Sequence, residues 1–281
     1  MKRISLKEIR ERRFLFTIKT IMIILLILSF IPMMLMIMMS FKSTLEMYNN
    51  FFGLPKHIEF SNYKAAINFL GGNVINSIVM VFLSVVMTLI FSGIGGYVFA
   101  VKEFPGKNFL YTMLLILMMI PGILSLASNY NLIIDYGLLN TRWAVILHWV
   151  ANGQVMGIIL CRNSIEGMPK ELFDAAKIDG CTDFKMLAKV VIPLIKPILS
   201  TVAVLKAVEY YNDFIWPMMV IEKNSKQLIT VVLRVFTSSQ DVTQIGVMFA
   251  GYVIATVPLF ILFMFTSRLY MEGLTAGAVK G

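Results

Sequence analysis

The run from Val74 to Ala100 contains no Asp, Glu, Lys or Arg. About 20 apolar residues in a helix are enough to cross the hydrocarbon core of a bilayer, and this run exceeds that length. Further apolar runs occupy Ile18 to Met39, Phe109 to Leu126, Trp143 to Cys161, roughly Pro197 to Val220, and Ile245 to Phe265. A chain that is 58% hydrophobic and only 15% charged carries too much apolar surface for a soluble globule. The pattern predicts an all-α, polytopic membrane protein with six transmembrane helices. Its parts are an N-terminal tail (1–17), a first transmembrane helix (18–40), an extracytoplasmic connection (41–73), a helical core (74–268) and a C-terminal tail (269–281).

The formal charge of +9 is a matter of orientation rather than of nucleic-acid binding. Lys2, Arg3, Lys7, Arg10, Arg12 and Arg13 precede the first run, and Lys102 and Lys107 flank a short turn. The 162–197 segment is also basic, whereas the 127–142 loop holds only Arg142. Positive loops stay inside, so both termini are expected in the cytoplasm of a bacterial plasma membrane. The first run is longer than the roughly 7–15 residues of a signal-peptide core and lacks an A-x-A ending, which predicts an uncleaved helix. Cys161 and Cys181 then share the cytoplasmic side, where a disulfide is not expected, and no metal-ligand cluster appears.

Local signals fill in the connections. Tyr63, Ala66, Ile67 and Leu70 recur at helical spacing, predicting a short amphipathic helix on the outer surface that ends at Gly71-Gly72. Gly93, Gly95 and Gly96 fit either close helix approach or simple flexibility. Pro121-Gly122 predicts a break in the third span, with an outer loop from Asn129 to Asn140 beyond it. Within the fifth span Lys206, Glu209, Tyr210 and Asp213 lie on one stripe, and such charges usually face a bundle interior or a water-filled cavity. Glu222 to Asp241 reads as an outer connection.

The long polar interruption is Gly167 to Pro197. Pro169 suits a first helical position, Glu171 lies in the first turn, and Gly180 is a natural left-handed terminator. Thr182 caps a second short helix, Asp183 to Val190, that Pro193 closes. The segment reads as helix, Gly turn, helix, with small residues on one face and charges on the other.

This segment resembles the "EAA" loop of ABC-importer permeases: Glu-Ala-Ala, three residues, Gly, nine residues, then Ile-x-Leu-Pro. Here the pattern reads Asp174-Ala175-Ala176, Gly180 and Val190-Val191-Ile192-Pro193. Asp174, Val190 and Ile192 depart from it while keeping charge or branching. Asn76-Ser77 also resembles a family signature. Tyr210 to Pro217 resembles the W-N-D-F-x-W-P segment of carbohydrate-uptake permeases, with Tyr211 for the first Trp, and Arg268 to Gly281 resembles the tail of the maltose-type permease, with Ser267 in place of the usual Gln.

The resemblance covers roughly Asn62 to the end and implies a type I ABC importer permease fold with a cytoplasmic coupling helix-turn-helix at 167–197. It further implies a second homologous permease, two ATPase subunits and an extracytoplasmic sugar-binding protein. ATP and Mg would be bound by the partner ATPase, with no cofactor, metal or catalytic residue in this chain. The coupling residues it implies are Glu171, Asp174, Ala175, Ala176, Asp179, Gly180 and Pro193. A weaker tail contact would involve Gly273, Gly277, Lys280 and Gly281. Asn129, Tyr130, Tyr210, Asn212, Asp213 and Trp216 are the candidate sugar path, because aromatic faces, amides and carboxylates suit sugar rings and hydroxyls. Those residues equally suit pore lining or contact between the two permeases, and Lys206, Glu209 and Asp213 equally suit a buried salt-bridge group.

The chain has no G-x-x-x-x-G-K-[ST], H-E-x-x-H or G-x-S-x-G motif. That agrees with a permease driven by a separate ATPase rather than an enzyme. An ABC importer of a non-sugar solute would share the loop but not the tail. An ion-coupled secondary transporter would instead use Glu209 and Asp213 as ion sites, but the second half is not an inverted copy of the first.

Overall fold

The computed structural model describes the backbone of residues 6–238 and 245–278 and the side chains of 12–234 and 245–266. Among the described residues every regular element is helical: α1 (Leu6–Ser40), α2 (Thr44–Asn49), α3 (Phe60–Val101), α4 (Lys107–Met119), α5 (Leu126–Asp135), α6 (Arg142–Glu166), α7 (Lys170–Ile178), α8 (Asp183–Met186), α9 (Ile192–Leu194), α10 (Lys196–Asn212), α11 (Ile215–Val220), α12 (Ile229–Ser238) and α13 (Ile245–Ala278). Among the described residues four stretches are long and apolar enough to cross a membrane: Arg12–Ser40, Phe60–Val101, Arg142–Glu166 and Ile245–Thr266. Two helix pairs pass the same test only together and are bent at their junctions, Lys107–Met119 with Gly122–Asp135 at 98° and Asp183–Leu194 with Lys196–Asn212 at 76°, so the number is up to six if each pair is one span.

Contacts divide the chain into two units, 1–69 with 236–254 and 70–235 with 255–281. In the first, the Lys42 side chain is fully buried and its ammonium donates to the Asn50 and Phe51 carbonyls at 2.6 and 3.0 Å. Asn62 donates to the Ser40 and Lys42 carbonyls, each at 3.0 Å, while Ala66, Val247 and Ala250 form a small apolar cluster.

The second unit is built on α3, α6 and α10. A Cβ at Gly96 would lie 2.4 Å from the Cys161 Cβ and 3.0 Å from the Arg162 backbone nitrogen, so α3 and α6 touch backbone to backbone there. Close approach is therefore the role of this glycine. At the opposite end, α3 grips the loop after α11. Asn73 donates to the Asn224 and Gln227 carbonyls at 2.8 and 2.9 Å, and Asn76 to the Ser225 carbonyl at 2.8 Å. The Ser77 hydroxyl accepts the Ile229 amide at 2.9 Å, and the Asn76 side-chain Oδ1 accepts from Arg142 at 2.7 Å.

The observed elements differ from the sequence expectations at five places. Gly71-Gly72 does not end a surface helix: α3 runs unbroken from Phe60 to Val101. Glycine costs only about 1 kcal/mol inside a helix, and Asn73 directly after the pair ties this part of α3 to the Asn224 and Gln227 carbonyls. The Pro121 break is present, with Ile120 extended (φ −81°, ψ 119°) as the residue before proline prefers. The chain beyond it is helical, however, so most of the expected 129–140 loop is α5.

The expected 197–220 span is interrupted at Asp213, whose backbone is extended (φ −68°, ψ 126°) and whose Oδ1 accepts the Ile215 and Trp216 amides at 3.1 and 3.4 Å. Asp213 thus ends α10 as its C-cap and bonds the first amides of α11 from the position before that helix's N-cap, Phe214. The 222–241 connection contains α12. Finally, Pro193 does not close the helix after Thr182. The segment widens to a π-helix over 187–191, where the Ile192 amide bonds the Leu187 carbonyl, and continues to Leu194. Proline lacks an amide proton and its ring crowds the carbonyl four residues back, which the wider turn relieves.

Candidate coupling and translocation sites

The knob at 167–195 is assembled by local chemistry. Pro169 stands just before α7 (φ −58°, ψ 132°), one position earlier than expected, with Glu171 in the first turn. Beyond the Asp179 cap, Gly180 takes φ +70°. Its amide bonds the Lys177 carbonyl and the Cys181 amide bonds the Ala176 carbonyl, both at 3.0 Å. This pair of bonds is a Schellman closure, which needs a left-handed residue and favours glycine. Thr182 then accepts the Lys185 amide at 3.4 Å and starts α8.

The inner face of the knob is apolar. Ala176, Met186, Val191 and Ile195 are buried with Tyr97 of α3 and with Cys161 and Ile165 of α6. Ala176 therefore packs inward, whereas Glu171, Asp174, Ala175, Asp179 and Gly180 are exposed. Asp174 lies 3.8 Å from Lys177. Ile178 and Phe184 are 86% and 78% exposed, so the outer face is apolar as well as charged. Pro193 is exposed within α9. The expected division into a small face and a charged face is thus replaced by an apolar inner face and a mixed outer one.

A second tie holds the knob to the end of α3. The Lys102 ammonium donates to Asp183 Oδ1 at 2.5 Å, and the Tyr97 hydroxyl donates to the same oxygen at 3.2 Å. The Lys102 hydrogen bond holds the Asp183 carboxyl below the usual carboxylate range.

Toward the other end, α5, α6, α10 and α11 enclose a hollow of about 340 Å³ that includes Gly122, His148, Trp149, Asn152, Glu209, Tyr210, Asp213 and Trp216 in its lining. Hollows of about 440 and 210 Å³ share Asn129 and Asn152 with one another. Aromatic packing fixes the wall: Trp149 stacks on Tyr210 at 5.1 Å and 2°, and His148 on Trp216 at 3.9 Å and 17°. The Tyr210 hydroxyl is 2.9 Å from that of Thr88 and donates to the Trp149 carbonyl at 2.7 Å. Trp216 donates to the Ala144 carbonyl at 2.9 Å.

Of the six candidate path residues, Tyr210, Asp213 and Trp216 meet at one hollow and Asn129 at its neighbours. Asn212 instead turns back to the Val208 carbonyl at 2.8 Å, and Tyr130 lines none of the three hollows. Tyr210 and Trp216 are 2% and 1% exposed, so they shape the wall from behind. Lys206 pairs with Glu209 at 2.6 Å, its side chain buried while that of Glu209 stays 57% exposed. His148 and Asn152, in contact at 3.1 Å, were not anticipated; polar residues spaced i, i+4 on an apolar span were the available signal. Of the expected tail contacts, Lys280 and Gly281 lie outside the described residues, and only the backbone is described at Gly273 and Gly277.

Comparison with known proteins gives this arrangement its class. Residues 92–272 match the family model described as "Binding-protein-dependent transport system inner membrane component". The arabinooligosaccharides transport system permease protein AraQ of Halalkalibacterium halodurans is 34% identical over 89% of this chain and 91% of its own length. AraQ of Bacillus subtilis is 31% identical over 81% of each chain, and the diacetylchitobiose uptake system permease protein NgcG of Streptomyces coelicolor 27% over 96% and 90%. A chain from a bacterial ABC transporter that imports the acidic polysaccharide alginate superposes with a TM-score of 0.83 at 24% identity, covering 95% of this chain and 99% of that one. The chain belongs to the binding-protein-dependent transport system inner membrane component family, and its fold is that of a type I ABC importer permease.

Proposed function

We propose that this chain is the membrane permease of an ATP-driven oligosaccharide importer in a bacterial plasma membrane. The observation that carries the reading is 34% identity, along 89% of the chain, to a permease of arabinooligosaccharides. The other half of the pathway belongs to a second, homologous permease. An extracytoplasmic binding protein delivers the sugar, and two separate ATPase subunits bind ATP and Mg. A related crystal structure is of an alginate transporter with a pentasaccharide-bound periplasmic protein, which supports partners of this kind. Both termini and the knob face the cytoplasm, in keeping with the basic residues around Lys102, Lys107 and 162–197.

In this reading the outer face of the knob seats on an ATPase subunit. Glu171, Asp174 and Asp179 supply charge, Ala175 permits approach, and Ile178 and Phe184 add apolar area. Gly180 and Pro193 shape the knob, and Gly273 to Gly281 make a secondary contact with the ATPases. ATP-driven closure displaces the knob, and the displacement exchanges inward-open and outward-open helix arrangements. Such coupling requires a contact whose energy differs between the two states. Sugar passes the wall formed by His148, Asn152, Glu209 and Asp213, where carboxylate and amide groups exchange hydrogen bonds with hydroxyls.

The test is uptake of labelled oligosaccharides by cells with and without this chain. Loss of uptake of one oligosaccharide class, restored by the chain only together with its ATPase, supports the reading. Unchanged uptake of every oligosaccharide, with loss of a non-sugar solute, overturns it.

A further inference from the structure

Residues 167–169 join the start of the knob covalently to α6. Through α8, the π-turn and α9 the chain passes directly into α10. To α3 the knob is joined by side chains alone: the apolar cluster around Tyr97, and the Lys102–Asp183–Tyr97 clasp. The clasp sits at the first residue of α8, beside the Gly180 turn, so any displacement of α7 reaches it immediately. Farther along, α3 and α10 are joined again by the Thr88–Tyr210 hydrogen bond at the hollow.

We propose that Lys102, Asp183 and Tyr97 are positioning residues for energy coupling, locking the knob to α3 so that α3 and α10 move as one body when the ATPase closes. This rests on the permease reading given above. The side chains of Lys102 and Asp183 are 40% and 65% exposed. An exposed pair contributes little to stability, so its loss leaves the fold standing. Its geometry matters instead, because two donors converge on one carboxylate oxygen and fix the start of α8 laterally. With Asp183 neutral and Lys102 free, knob motion passes to α6 and α10 along the backbone while α3 lags behind.

The experiment uses the whole importer, reconstituted with its ATPase subunits, with spin labels at Ile94→Cys on α3 and Ala188→Cys on the knob, in a Cys181→Ser background. Distances are read without nucleotide and with ATP and vanadate. With the clasp intact the distance should change by less than about 2 Å, the scale of a helix shift at a packed interface. In Asp183→Asn it should change by more than that, and ATP hydrolysis without binding protein should rise about threefold. Tyr97→Phe should show a smaller change in the same direction. Exchanging the charges, Lys102→Asp with Asp183→Lys, should restore the rigid distance, which a general structural defect would not do.

An unchanged distance in Asp183→Asn, or no recovery on exchange, overturns the clasp alone. If Asp183→Asn fails to assemble, Tyr97→Phe decides the matter by the same distance. Failure of the unmodified chain to bind any ATPase overturns the permease reading, and the clasp with it.

Discussion

The Trp149 indole nitrogen donates to Asp213 Oδ2 at 2.7 Å, while Asp213 Oδ1 accepts the first amides of α11. One carboxylate therefore ends α10, starts α11 and pins both to α6. A hydrogen bond to a charged acceptor contributes about 1.5–3 kcal/mol. Trp149→Phe keeps the stack on Tyr210 but removes that donor, so it should destabilise the purified protein by about 2 kcal/mol, read as a lowered Tm. Asp213→Ala, which also removes the acceptor of the Ile215 and Trp216 amides, should cost more. Equal Tm values for all three proteins would show that the carboxylate does not organise this bend.

Gly180 separates backbone strain from packing. A Cβ there would meet nothing within 4 Å, yet φ is +70°. A left-handed conformation costs a non-glycine residue about 1–2 kcal/mol, least for Asn. Gly180→Val should therefore uncouple ATP hydrolysis from uptake, and Gly180→Asn should retain most transport. Equal loss in the two variants would assign the effect to a lost contact rather than to the turn.

Asn76 is 5% exposed and serves the Ser225 carbonyl, the Gln227 carbonyl and Arg142 together. Asn76→Ala leaves these groups without that partner, at about 1–3 kcal/mol for a buried unsatisfied group. The 221–228 segment should then be cut by protease at least tenfold faster in the variant, whereas equal cleavage rates would show that the loop is held by other means.

The clasp also has a pH signature. Because Lys102 holds the Asp183 carboxyl below its ordinary range, its contribution is complete above the unfolded carboxylate pKa of about 3.9 and fades as pH falls through the lower folded value. The α3–knob distance should accordingly be constant from pH 8 down to about pH 5. A transition near neutrality would contradict the assignment of the clasp to Asp183.

The knob was legible in the sequence because its signals are local. Gly180 fixes a left-handed turn and Thr182 caps the short helix after it, whatever packs around them. Pro121 announced its break for the same reason. The continuity of α3 through Gly71-Gly72 is not legible, since the residue that follows is held by partners as distant as Asn224 and Gln227. The end of α10 at Asp213 is not legible, because its spacing from Lys206 and Glu209 continues a helical stripe although its backbone is extended. His148 and Asn152 belong to no motif, and only folding brings them to the same hollow as Glu209 and Asp213.

Dependence on partner subunits is tested by affinity purification of the tagged chain, expressed with the candidate partner genes, and identification of the proteins that remain bound. An importer permease should retain a second permease and an ATPase, and should lose the ATPase when Asp174 and Ile178 on the outer face of the knob are both replaced by Arg. A stable lone chain that transports solute on a proton gradient would contradict that assignment and return Glu209 and Asp213 to the role of ion sites.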